Sequence, residues 1–143
     1  MSAKFFPYLL AITTLFFWGI APIFGKLGIA KISPYTALAI RSFVVAFIMI
    51  VILLIRGDFK ELVQVDLKSA VFIGLEGIFA SLIGHFTYYY ALKLGETTKV
   101  VPIAGAYMLI TVLAAAIFLS EKITLIKGAG IVLILGGVLL LRF

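Results

Sequence analysis

SAVFIGLEGIFASLIGHFTYYYAL, residues 69–92, decides the fold class of this chain. The stretch exceeds the roughly 18 apolar residues that mark a helix able to cross a bilayer. It nevertheless contains Glu76, the chain's only histidine, His85, and a terminal aromatic block of Tyr88, Tyr89 and Tyr90. An ionisable side chain is costly in hydrocarbon, so an apolar helix that keeps two of them is a candidate for function. Gly74, Gly77, Ser81 and Gly84 recur at three- and four-residue spacing, which places small residues on one side of an α-helix and lets a neighbouring backbone come close. The stretch reads as the wall of a pathway through a membrane, with a packing seam and polar groups off it.

Composition narrows the function classes. The chain is 64% hydrophobic and 13% charged, about half the charge of a soluble domain, which excludes an ordinary globular enzyme. Cysteine is absent, so disulfides, thiolate chemistry and Cys-type zinc sites are excluded. There is no serine, histidine and acid set, no His-rich metal motif, and no glycine-rich phosphate loop after a strand; Gly128-Ala129-Gly130 lacks the third glycine. No cofactor is expected. The formal charge of +6 is spread singly between apolar runs, which points to membrane-edge anchors and orientation signals rather than to nucleic acid.

Outward from residues 69–92, the apolar pattern predicts an all-α protein of the cell membrane with five transmembrane helices, at about 5–29, 34–55, 69–92, 100–120 and 123–141, in one domain over 1–143. Lys4 precedes an apolar run too long for a signal core, and no A-x-A site follows, so the first run is expected to be a permanent span. Pro22 near its middle cannot donate to the Trp18 carbonyl, and a kink is expected there. Lys26 in the last turn is expected to snorkel. Ser33 and Pro34 make a good start for the second helix, as N-cap and first residue. Arg41 then lies about 10 Å deep at 1.5 Å per residue, where it either snorkels or serves the pathway. The longest loop is Arg56 to Lys68. Pro102 is expected in the first turn of the fourth span, and Glu121 is expected to cap the fifth helix or pair with a base.

Five spans put the termini on opposite sides. The face of the N-terminus then holds Lys4, Arg56, Lys60, Lys68, Lys122 and Lys127, and the other face Lys26, Lys31, Lys93, Lys99 and Arg142, with Arg41 close below it. Lysine and arginine asymmetry sets orientation, and here it nearly vanishes. Such a chain is expected to insert both ways up and to pair as an antiparallel homodimer. If one loop dominates, all copies share one orientation.

Trp18-Gly19 with Lys26, Ser33-Pro34 with Arg41, Ala91-Leu92, Pro102, and Leu119-Ser120-Glu121 followed by Gly128 and Gly137-Val138 resemble, in order and spacing, the EamA domain of the drug/metabolite transporter superfamily. The resemblance covers essentially the whole chain. Gly130 to Val138 is also similar to the helix-pairing motif of small multidrug resistance proteins in the same superfamily. Gly130 and Gly137 are in any case two turns apart on one face, which permits close helix contact. Most members that this sequence resembles carry two such domains of inverted topology with the substrate cavity between them. The resemblance therefore implies an EamA-type half-transporter that must find its other half, most simply an inverted copy of itself. Small multidrug resistance proteins keep their coupling glutamate in the first helix, where this chain has no acid.

Glu76 is the acid well inside the membrane, about 10 Å from its nearer surface. Burial favours the neutral acid, so Glu76 is either a proton carrier or a structural acid tying two helices together. At 100° per residue Glu76 and His85 fall on opposite faces, while Ala80, Ile83, Thr87 and Tyr90 share the face of Glu76. In an inverted dimer Arg41 of one copy and Glu76 of the other fall level, so they are expected to pair, or a substrate carboxylate competes for Arg41. His85 is either a packing residue or part of a relay, and the tyrosines either line the path or form an interfacial belt. The candidate substrate-binding set is Glu76, Arg41, Trp18, Tyr90, Thr87 and His85, with Pro22 as the kink and Gly130, Gly137, Gly77 and Gly84 as dimer-packing positions. The reading is an exporter or exchanger of small organic metabolites by alternating access, with a small-molecule substrate and the lipid bilayer as partners. A lipid-linked-sugar or drug flippase and a non-transporting membrane scaffold are the alternatives.

Overall fold

Ser33 opens a helix with its side chain: its Oγ accepts a hydrogen bond from the Thr36 N–H at 3.1 Å, and Pro34, with no N–H to lose, takes the first helical position. Asp66 does the same for the Ser69 N–H at 3.0 Å, and Thr124 for the Lys127 N–H at 3.3 Å. The computed structural model describes residues 5–141, and its regular structure is helical. The helices are α1 (Phe6–Gly28), α2 (Pro34–Arg56), α3 (Phe59–Val63), α4 (Leu67–Glu76), a π-helical segment (Gly77–Gly84), α5 (His85–Leu94), α6 (Thr97–Gly105), α7 (Tyr107–Phe118) and α8 (Leu125–Leu140). The chain divides into two compact units, one ending at Lys93 and the other beginning at Leu94.

In the first unit the buried side chains gather at one end. Ile29, Leu38 and Leu92 are buried there, and Pro22 and Pro34 are buried as well. The end of α1, the start of α2 and the end of α5 meet there. Gly25 lies in this contact: a Cβ on it would sit 3.6 Å from Tyr89 Cε1 and 3.8 Å from Leu92 Cδ1, at ordinary van der Waals distance. Two ammonium groups close the junction: Lys26 Nζ donates to the Leu92 carbonyl, and Lys93 Nζ donates to the Ile32 carbonyl at 2.7 Å. The expectation that Lys26 snorkels is therefore corrected. The last carbonyls of α5 lack helical donors and carry partial negative charge, so they attract the cation inward. Rings of Tyr35 and Phe86 lie 4.6 Å apart, and those of Phe86 and Tyr90 5.0 Å apart, which joins α2 to α5 by aromatic contact.

The third span runs through Leu67–Leu94, longer than expected and not α-helical throughout. Across Gly77–Gly84 the hydrogen bonds reach one residue further back, and the His85 N–H meets the Ala80 carbonyl. A π turn advances less than 100° per residue, so the half-turn expected between Glu76 and His85 shrinks. The small-residue seam loses its α-helical register for the same reason. A Cβ on Gly84 would lie 3.0 Å from the Phe79 carbonyl oxygen, whereas Gly74 and Gly77 face open space. The first span runs as one helix through Pro22.

In the second unit the expected continuous span 100–120 is two helices, Thr97–Gly105 and Tyr107–Phe118, joined at Ala106. The Ala106 N–H is shared by the carbonyls of Pro102 and Ile103, at 3.1 and 3.2 Å. Pro102 sits inside α6 rather than in its first turn, because the helix begins at Thr97, three residues before the expected start. Ser120 adopts a left-handed conformation, φ 56°, and the Glu121 N–H returns to the Ala115 carbonyl at 3.3 Å. Glu121 thus closes the fourth span through its backbone, and the cap of α8 is Thr124.

Most large apolar side chains are uncovered by protein, among them Phe43, Ile55 and Phe118. Four helical stretches, Phe6–Gly28, Pro34–Arg56, Leu67–Leu94 and Thr97–Phe118, are long and apolar enough to cross a membrane. A helix satisfies its own backbone and can bear an apolar surface only where lipid covers it, so this is a multi-pass helical membrane protein. The fifth expected span is a shorter apolar helix, Leu125–Leu140 of 16 residues, below the roughly 20 that a hydrocarbon core of about 30 Å requires. The left-handed Ser120 and the capping Thr124 start it late.

Candidate functional site

Small residues at the packed end of the first unit leave an open-sided cavity of about 380 Å³. Ala21, Gly25 and Gly28 of α1 and Ala37 of α2 supply the space, and Phe24, Ile29 and Ile40 supply apolar wall. Tyr89 of α5 faces them. Arg41 is the charged residue of the lining, and no acid lines the cavity. Ser33 and Pro34 fix the start of α2 and hence place Arg41 two turns further on, about 10 Å along the helix axis. The arrangement is a cation set in an otherwise apolar hollow.

Of the six residues proposed from sequence, Arg41 alone lines this cavity. His85 adjoins it through Tyr89, with ring centroids 6.2 Å apart. The His85 Nδ1 donates to the Ala80 carbonyl at 2.8 Å, since a carbonyl can only accept; a neutral ring then offers Nε2 as an acceptor. The side chain of His85 and its own N–H meet the same carbonyl, so the histidine closes the π segment. Thr87 is engaged there too: its hydroxyl donates to the Ile83 and Gly84 carbonyls at 3.0 and 2.9 Å. Tyr90 lies against Phe86 and is 42% exposed, and Trp18 is 63% exposed. Glu76 is exposed at the end of α4 and away from the cavity. Among the described residues no group of three or more His, Cys, Asp and Glu could hold a metal ion.

Tyr89 was not singled out from its tyrosine neighbours by sequence reasoning. The signal that could have chosen it is a match of spacings: Gly25 and Gly28 in α1 are three apart, as are Tyr89 and Leu92 in α5. In the structure both Tyr89 and Leu92 lie against Gly25, while nothing comes within 4 Å of a Cβ built on Gly28, so the spacing marks the pair on α5 but not its register on α1. Gly130 and Gly137, proposed for dimer packing, face open space, as Gly77 does.

Comparison with known proteins places this geometry in a family. The model of the EamA-like transporter family matches residues 5–143. The chain is 28% identical over 131 residues to an uncharacterised transporter encoded in the 3′ region of cobO in a Sinorhizobium species, covering 92% of each chain. It is 29% identical over 133 residues to an uncharacterised protein of Methanocaldococcus jannaschii, covering 93% of each. Both relatives are thus about as long as this chain. No solved structure matches. With the family model spanning both units and the uncovered apolar helices beneath it, the chain belongs to the EamA-like transporter family, within the drug/metabolite transporter superfamily.

Proposed function

We propose that this chain is one half of a secondary transporter, an exporter or exchanger of small organic metabolites that works by alternating access as an inverted homodimer. The observation that carries the reading is the cavity walled by α1, α2 and α5 with Arg41 at membrane depth. A charge held there is a mark of a substrate path. The near-equal distribution of lysine and arginine supports insertion in both orientations, and relatives of the same length support a half-size working unit. In this reading α8 crosses a locally thinned bilayer, and the small residues of its glycine face pack against the second copy.

Inversion gives Glu76 a role that it lacks within its own copy. Arg41 lies about 10 Å below one surface and Glu76 about 13 Å below the other, at 1.5 Å per residue from Pro34 and Leu67. In an inverted pair the two come close to one level, and Arg41 of one copy neutralises Glu76 of the other between transport events. Two measurements test the function. Reconstituted protein is expected to give saturable solute flux, and reporters fused at either end are expected to label both compartments. A complete absence of flux across a metabolite panel favours the scaffold, and scrambling of labelled lipid without solute flux favours the flippase. For the ion pair, single changes at Arg41 and Glu76 impair assembly or transport, and the charge-swapped double variant recovers part of it; a swap that recovers neither removes the pair.

A further inference from the structure

The cavity also carries information on what it holds. Among the described residues Arg41 makes no hydrogen bond and no ion pair. The nearby ammonium groups are engaged, Lys26 on the Leu92 carbonyl and Lys93 on the Ile32 carbonyl. A guanidinium about 10 Å deep and without a partner is costly to keep. Its walls offer no anionic group to offset that cost: apart from the Tyr89 hydroxyl, the remaining lining side chains are apolar or glycine. We infer that this cavity binds a small monocarboxylate with an apolar body, whose carboxylate Arg41 holds. The inference rests on the transport reading for the purpose of the site, and on the cavity alone for its chemistry.

Three features select that class. The planar guanidinium fork matches a planar carboxylate with two parallel hydrogen bonds. One cation in an apolar hollow balances one negative charge, and a phosphate monoester would leave a second charge without compensation. No acid of the same copy lines the cavity, and Glu76 of the second copy meets Arg41 only in the ligand-free state, so an α-ammonium group has no partner in the filled cavity, which disfavours amino acids relative to plain organic acids. Phe24, Ile40 and Tyr89 face the rest of the ligand. The volume of about 380 Å³ lies in the range of small-ligand pockets and admits a short aliphatic or phenyl body.

The test is competition binding by the full-length protein in nanodiscs of phosphatidylcholine at neutral pH, with radiolabelled hexanoate as probe. Unlabelled hexanoate and 3-phenylpropionate are expected to compete at least about tenfold better than hexanamide and 3-phenylpropionamide, and better than phenylalanine or phenyl phosphate. This comparison needs no variant. Arg41→Gln is expected to erase the preference for acid over amide and Arg41→Lys to keep part of it. Ala37→Phe, which fills the cavity, is expected to weaken acid and amide alike. Equal competition by acids and amides overturns the inference, as do tighter binding of phenylalanine, a preference unchanged in Arg41→Gln, or no saturable hexanoate binding. A site filled only when phosphatidylglycerol is added also overturns it, because the anion is then a lipid headgroup. Saturable flux without acid preference removes the carboxylate and leaves the transporter; acid-selective binding without flux of any solute does the reverse.

Discussion

The two halves of the span Leu67–Leu94 belong to one helical stretch and meet opposite fates. Its second half contains Leu92, which is 0% exposed, with Tyr89 against Gly25 of α1 and a lysine ammonium on the Leu92 carbonyl. Its first half, α4, has no buried residue, and Leu75 one position from Glu76 is 43% exposed. Between them lies the π segment Gly77–Gly84. A packed half and an uncovered half are joined by a π-helical segment, which leaves the uncovered half a free surface for lipid or a second copy while the packed half lines the cavity. Protein contact, not local sequence, makes the difference, because both halves are equally able to form helix.

The largest effect should come from that contrast. Leu92→Ala removes the most deeply buried side chain of the junction and leaves a void that α1 and α2 cannot fill, with an expected loss of about 2–5 kcal/mol. Leu75→Ala exchanges protein surface for lipid contact and should change stability by less than about 0.5 kcal/mol. Unfolding of the two variants in the same detergent checks both. Equal losses would mean that α4 is covered by something the isolated unit does not contain, such as a second copy, and the comparison would then sharpen into a test of assembly.

The segment between the halves offers a smaller effect. At Gly84 an added Cβ must displace the Phe79 carbonyl from 3.0 Å, which is backbone and cannot swing aside. Gly84→Ala should therefore cost about 1 kcal/mol or more and speed amide exchange around Ala80 and His85. Gly74→Ala meets open space and should stabilise α4 by up to about 1 kcal/mol through helix propensity alone. If both substitutions stabilise, the π segment does not depend on Gly84.

Sequence made four of the five expected spans legible because apolar length is a one-dimensional property, whereas the late start of the fifth helix is set by local backbone geometry. Ser33 and Pro34 were legible as well, since a cap involves residues only three apart. Arg41 could be picked out because a charge inside an apolar run is conspicuous, and it does line the cavity. The features that were not legible depend on what lies across space. Lys26 was read as snorkelling because nothing local announces the Leu92 carbonyl. Tyr89 could not be told from Tyr90 without knowing which face of α5 meets Gly25. The π segment depends on which carbonyl each N–H chooses, and α-helical spacing rules carried past Gly77 misplace the faces of Glu76 and His85. Glu121 stands out by its charge at the corner before the fifth helix, but the cap of that helix is the Thr124 hydroxyl, a less conspicuous residue at its start.

The smallest effect lies at the start of the uncovered half, where Asp66 caps α4. The Ser69 hydroxyl and backbone N–H hold its carboxyl below the ordinary value of 3.8, because they bond to the charged form. A carboxyl with a folded value below its unfolded one favours the folded state fully above 3.8, and this contribution is lost as pH falls through the depressed value. Other carboxylates titrate in the same window, so the informative quantity is a difference. Asparagine caps a helix without ionising; in Asp66→Asn, unfolding followed from about pH 6 to about pH 2 should lose less stability than wild type, with the two curves parallel above the carboxylate range. Curves that stay parallel to the lowest pH would show that the cap contributes no charge-dependent stability. The start of α4 would then be held by the hydrogen bond from the Ser69 N–H and not by the charge of its acceptor.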